Sequence, residues 1–148
     1  MNSIYSIGFT QKSAEDFFTL LQKNNVRILV DVRLNNTSQL AAFSKFPDIE
    51  FFLNKICNIE YRHEIAFAPE ESTLKRYKKK EINWEQYVSE FFETMKKRNI
   101  RKYIADKYRS EDRKVCLLCS EPTPEQCHRR LIAEIFAEVF ANTKIIHL

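Results

Sequence analysis

The 148-residue sequence predicts an α/β fold with a mainly parallel sheet, and three observations point to it. Short β-rich apolar runs alternate with segments of helical periodicity over the first 64 residues and again after residue 114. One of those runs, residues 26–32, is almost continuously apolar, as a strand covered on both faces by helices must be. Hydrophobic residues make up 44% and aromatics 13%, and no Pro/Gly/Ser-rich linker interrupts the chain, so one core suffices. We therefore read 1–148 as a single domain, a Rossmann-like three-layer sandwich with extra surface helices in the middle third.

Taken in order, residues 4–8 read as a strand. Ser13 then stands as a helix N-cap, with Glu15 and Asp16 in the first turn and Phe17, Leu20 and Leu21 at helical spacing, so a helix runs to about Asn24. The buried strand at 26–32 leads into a polar loop, 35–44. Pro47 opens a helix carrying Ile49, Phe52, Leu53 and Ile56, and residues 59–63 form a weaker third strand. Residues 74–80 and 84–98 read as helices expected mainly at the surface, the second with Trp84, Val88, Phe91, Phe92 and Met95 on one face. Residues 115–119 are the next strand. Thr123 as cap, Pro124 at the first helical position and Gln126 at the capping-box position predict a helix with Leu131, Ile132, Ile135, Phe136 and Val139 as its buried stripe. A last short strand covers 143–146.

Composition removes several functions. A single glycine excludes both the phosphate-binding P-loop and the dinucleotide fingerprint, which need several. The net charge of +4 permits an anionic partner without requiring one, and the basic side chains concentrate at 74–114. No leader-like start and no window of about 18 apolar residues is present, so the expected location is the cytoplasm, off the membrane, with the four cysteines as free thiols.

In an open parallel sheet the functional crevice lies beyond the carboxyl ends of the strands. The predicted exits carry Asp31 and Arg33, Tyr61 and His63, and Cys119 with Glu121. The stretch from Leu117 to Leu131, LLCSEPTPEQCHRRL, is the most informative: a strand, a short loop and a helix start. Unbonded N–H groups and the helix dipole attract anions there, and Arg129 supplies a bidentate fork. The same field favours a thiolate, so Cys119 reads either as a nucleophile, with Glu121 or His128 moving protons, or as a packed thiol. Cys127, four residues before Leu131, reads as a core thiol. Cys116 and Cys119 point to opposite faces of a strand and cannot clasp one ion. A metal set of Cys119, Cys127 and His128 with His63 as fourth ligand is the weaker reading, and no metal or cofactor is expected. Asp31 and Arg33 share one side of their strand, as an orienting carboxylate and an anion contact or as a structural pair. Lys75, Arg76, Lys78 and Lys79, with Tyr77 among them, suit nucleic-acid contact or an ordinary solvated face.

Three segments together, Ile7-Gly8-Phe9-Thr10, DVRLNNTSQL at 31–40 and the LLCSEPTPEQCHRRL stretch, resemble the uncharacterised domain-of-unknown-function family number 488 over nearly the whole chain. Residue by residue the resemblance points to Asp31, Arg33, Asn35 and Ser38, to Tyr61 and His63, and to Cys119, Glu121, Cys127, His128 and Arg129. Two positions depart from the family pattern. Ala42 stands where glycine is expected, and Phe67-Ala68-Pro69-Glu70 replaces Leu-Ala-Pro-Thr.

The sequence thus predicts a small enzyme acting on a phosphate-bearing substrate such as a nucleotide or nucleic acid. Cys119, Glu121, His128 and Asp31 are its catalytic candidates, and Arg33, Asn35, Ser38, Tyr61, His63 and Arg129 its substrate contacts. The alternative is a non-catalytic nucleic-acid-binding accessory protein that uses the basic 74–114 helices. An anionic small molecule or a nucleic acid is the expected partner, and oligomeric state is not legible.

Overall fold

The computed structural model describes residues 1–148. Five strands, β1 (Ser3–Gly8), β2 (Ile28–Asp31), β3 (Glu60–His63), β4 (Val115–Cys119) and β5 (Lys144–His147), form one parallel sheet in the order β3-β2-β4-β1-β5. Six α-helices cover it: α1 (Ala14–Lys23), α2 (Asp48–Phe51), α3 (Glu71–Lys78), α4 (Trp84–Lys97), α5 (Ile100–Tyr108) and α6 (His128–Val139). The architecture is the three-layer α/β sandwich that the sequence predicts.

Alternation along the strands divides the core in two. Tyr5, Ile7, Leu29 and Leu118 face α1 and α2, where Phe17, Leu21, Ile49 and Leu53 are buried. Ile4, Ile28, Val30 and Leu117 face the other way, against Phe91 and Met95 of α4, Ile104 of α5 and Leu131 and Ile135 of α6. The middle helices are therefore the sheet's cover on that side and carry part of the larger core. Helix α5 has no counterpart in the sequence reading, although Ile100, Ile104 and Tyr108 repeat at helical spacing and are buried. Asn99, at φ 53° and ψ 46°, separates it from α4.

Two boundaries move for physical reasons. After α2 the chain winds as a π-helical turn, Phe52–Cys57, so the residue that follows Leu53 into the core is Cys57. Ile56, expected on the buried stripe, is 66% exposed. Helix α6 starts at His128 instead of after Thr123, because Cys127 is extended at φ −135° and ψ 135°. Cys127 therefore lies outside the helical stripe to which the spacing assigns it.

The register sets Gly8 beside Cys119 and Asp31 beside both Leu118 and His63, so four strand exits share one edge. From β1 the chain passes to α1 on one face, and from β4 it passes to α6 on the other. That reversal opens a crevice at the carboxyl ends of β1, β4 and β2.

Candidate active site

A cleft of about 190 Å³ opens at this edge. Cys119, Cys127 and His128 line it together with Arg33, Asn35 and Glu121. Its apolar wall comes from the middle helices as Leu74, Tyr77, Trp84 and Tyr87. Trp84 stacks on Tyr87, with centroids 5.2 Å apart at 16°, and Tyr77 leans on both. The sequence reading passes over this wall, because Trp84 looks like a stripe residue of an amphipathic helix and Tyr87 lies off the stripe it names.

Cys119 and His128 meet at the floor of the cleft. The His128 ring lies with Nε2 2.7 Å from the Val32 carbonyl oxygen. A carbonyl only accepts, so Nε2 carries the proton and Nδ1 is free; the Cys119 sulfur flanks the ring, 3.6 Å from Nδ1 and 4.0 Å from Nε2. Both residues are buried, Cys119 at the last residue of β4 and His128 at the first of α6. The neighbouring Cys127 thiol, within 4.8 Å, draws the Cys119 thiol below the ordinary thiol range. Burial opposes that shift, while the Ser120 N–H and the Arg129 guanidinium reinforce it. Cys119 beside it, with burial, raises the Cys127 thiol far above the usual range.

Arg129 explains the electrostatics of the edge. It is fully buried, and its partners are neutral: Nε donates to Ser6 Oγ at 3.3 Å and Nη1 to the Glu121 carbonyl at 2.6 Å. Nη2 has no partner. A permanent cation without a carboxylate in a low-dielectric site favours negative charge nearby, and Cys119 is the group that can supply it. Arg129, expected to touch substrate, instead lies behind the cleft wall.

Asp31 and Arg33 form a second cluster, turned toward α1 and α2. Arg33 gives Nε and Nη2 to the two Asp31 oxygens at 2.8 and 2.7 Å, and the Arg33 N–H adds a third bond. Its Nη1 and Nη2 also donate to Ser44 Oγ and the Ser44 carbonyl. The Tyr61 hydroxyl donates to Asp31 at 2.7 Å and accepts from Asn36, a buried residue absent from the sequence-predicted set. Burial, with the Asp31 charge beside it, pushes the Tyr61 phenol well above its usual range. Arg33 keeps one edge on the cleft, but four of its five N–H groups are committed internally.

The other predicted positions are dispersed. His63 Nε2 donates to the Arg33 carbonyl, away from the cleft. Ser38 caps a 3₁₀ turn by accepting from the Leu40 N–H. Lys75 pairs with Glu71 and Arg76 with Glu90, whereas Lys78 stands on the cleft rim. The donor atoms of Cys119, Cys127 and His128 lie within 4.8 Å of one another, the one grouping of soft and borderline ligands at this edge.

The molecule is thus an α/β protein with a cysteine–histidine site at a topological switch point of a parallel sheet. It belongs to the family described as Domain of unknown function DUF488, whose sequence pattern matches residues 13–136 and so spans both halves of the site. No curated protein and no solved structure matches the chain. No helix is long and apolar enough to cross a membrane.

Proposed function

We propose that this protein is a small cytoplasmic enzyme that acts on a phosphate-bearing substrate, a nucleotide or a nucleic acid, by attack of the Cys119 sulfur. The observation that carries this reading is the 3.6 Å contact between Cys119 Sγ and a His128 Nδ1 whose tautomer is fixed by the Val32 carbonyl. Nucleophile, base and orienting group stand in the order that covalent catalysis needs. His128 takes the thiol proton as the sulfur–phosphorus bond forms and hands it to the departing oxygen as the phosphorus–oxygen bond breaks, while Glu121 stands exposed on the cleft rim. Arg129 steadies the negative charge on sulfur from behind. Tyr77 and Trp84 offer the face on which a base can stack, and Lys78 the charge that meets a phosphate. Four free cysteines are in keeping with a reducing compartment.

Iodoacetamide labelling of metal-free native protein, followed by peptide mapping, tests the assignment. Cys119 should label first, with Cys57, Cys116 and Cys127 reacting only on unfolding. His128→Ala should slow Cys119 labelling about tenfold or more, in line with the contribution of a positioned base. A Cys119 that stays inert while the protein is folded removes the nucleophile.

A further inference from the structure

We infer that Cys119, Cys127 and His128 also form a binding site for a soft divalent cation of zinc type, with the fourth coordination position open to the cleft. This goes beyond the proposed reaction. The ion and the attacking sulfur use the same lone pair, so the cation acts as an inhibitor of the Cys119 chemistry.

The spacing of the donors comes first. Zinc binds thiolate sulfur at about 2.3 Å and imidazole nitrogen at about 2.0–2.1 Å, so two such ligands on a tetrahedron stand roughly 3.6 Å apart. Cys119 Sγ lies 3.6 Å from His128 Nδ1 and 4.0 Å from Nε2, so the separation suits a shared ion once the Cys119 side chain turns from the flank of the ring toward Nδ1, and Cys127 Sγ lies within 4.8 Å of both donors. The backbone explains the convergence. Cys119 ends β4, and the extended conformation of Cys127 just before α6 keeps its sulfur off the helix face and near Cys119.

The outer contacts fit as well. A histidine that binds a metal through one nitrogen almost always donates its other N–H to an oxygen, which fixes the ring, and the Val32 carbonyl does this at 2.7 Å. Other candidates are excluded by position: Cys116 faces the opposite core, and His63 is held on the Arg33 carbonyl. Two thiolates cancel the charge of a divalent ion, and the imidazole is neutral. The Arg129 charge then remains, with only Ser6 and a carbonyl for company. It favours an anion, such as hydroxide or a phosphate, at the open position.

The test is cobalt and zinc binding by the full chain after chelator treatment. We expect one equivalent of Co(II) to give sulfur-to-cobalt charge transfer and the intense visible bands of four-coordinate cobalt, both lost when Zn(II) is added. Cys127→Ser should weaken zinc by at least about a hundredfold, because removing a ligand costs more than removing an outer partner, which costs 10–100-fold. Cys116→Ser should change nothing. Bound zinc should also protect Cys119 of the unmutated chain from iodoacetamide, a readout that needs no variant to fold. Absence of the charge-transfer band, unprotected Cys119, or unchanged affinity in Cys127→Ser overturns the inference. Failure of the metal with Cys119 still labelled leaves the nucleophile intact, whereas an inert Cys119 in metal-free protein with normal cobalt spectra removes the nucleophile alone.

Discussion

Gly8 and Glu121 meet backbone to backbone: a Cβ at position 8 would stand 1.7 Å from the Glu121 carbonyl oxygen and 3.1 Å from Arg129 Nη1. Space, not conformational freedom, is what the chain's single glycine supplies here. The close approach lets the Glu121 carbonyl accept from Arg129 at 2.6 Å, which fixes the 120–126 loop between the two cysteines.

Gly8→Ala therefore has to displace backbone, because the clashing atom is a carbonyl and not the end of a flexible side chain. Overpacking costs about 1–3 kcal/mol, and a buried guanidinium that loses an acceptor costs about 1–3 kcal/mol more. Urea unfolding should show a loss of about 3 kcal/mol, with Cys119 labelling altered as the loop moves. A change under about 1 kcal/mol would mean that the loop yields freely and that Gly8 does not position Arg129.

Asp31 is held in place by three bonds from Arg33 and one from Tyr61, all buried. Asp31→Asn leaves a buried arginine charge without its counter-ion, which costs about 3–5 kcal/mol. Replacing both partners, as Asp31→Asn with Arg33→Met, should recover part of that loss. The Asp31 charge also raises the Cys119 thiol, so if Asp31 otherwise only closes the end of β2, Cys119 labelling in the folded variant is at least as fast as before. A labelling rate that collapses while the fold persists would give Asp31 a direct part in the chemistry.

Strand periodicity made β1 and β4 legible almost to the residue, and with them the position of Cys119 at a strand exit. Ser13 was legible as a cap because its side chain does accept from the Asp16 N–H, at 3.0 Å. The capping pattern Thr123-Pro124-Gln126 points to an earlier start than the structure has: the Gly8 backbone, distant in sequence, packs on Glu121, and the Arg129 side chain, eight residues on, binds the Glu121 carbonyl, and both act on the 120–126 segment outside helix. The same long-range contacts decide what Cys127 touches, and no local spacing contains them. Arg33 and Arg129 look alike in the sequence as exit cations. Only the fold shows that one is satisfied by a carboxylate and the other is not.

Ala42 lies at φ 49° and ψ −126° inside the 3₁₀ turn before Ser44, a backbone state that favours glycine. A side chain in such a region costs about 1–3 kcal/mol, partly offset by the entropy glycine adds to the unfolded chain. Ala42→Gly should raise stability by about 1 kcal/mol, read as a higher urea midpoint at unchanged slope. A lower midpoint would show that the turn relaxes around alanine.

The far side of Arg129 is sensitive to pH through His147. Ser6 Oγ accepts from Arg129 Nε and meets His147 Nδ1 at 2.6 Å, so the imidazole on β5 is tied to the buried guanidinium through one hydroxyl. Burial, then the Arg129 charge, lowers the His147 pKa below the ordinary 6.5. The folded state therefore binds this proton less readily than the unfolded chain. Linkage gives the sign: the stabilisation is complete above the unfolded value of about 6.5 and is lost as pH falls toward and through the lower folded value. Unfolding free energy measured by urea from pH 7.5 down to 5 should be flat in this contribution above about 6.5 and should fall below it. His147→Gln, which keeps an acceptor near Ser6 but does not titrate, should reduce that slope while leaving the value at pH 7.5 little changed. An unaltered slope in the variant would assign the acid sensitivity to other groups and leave His147 without a linkage to the Arg129 network.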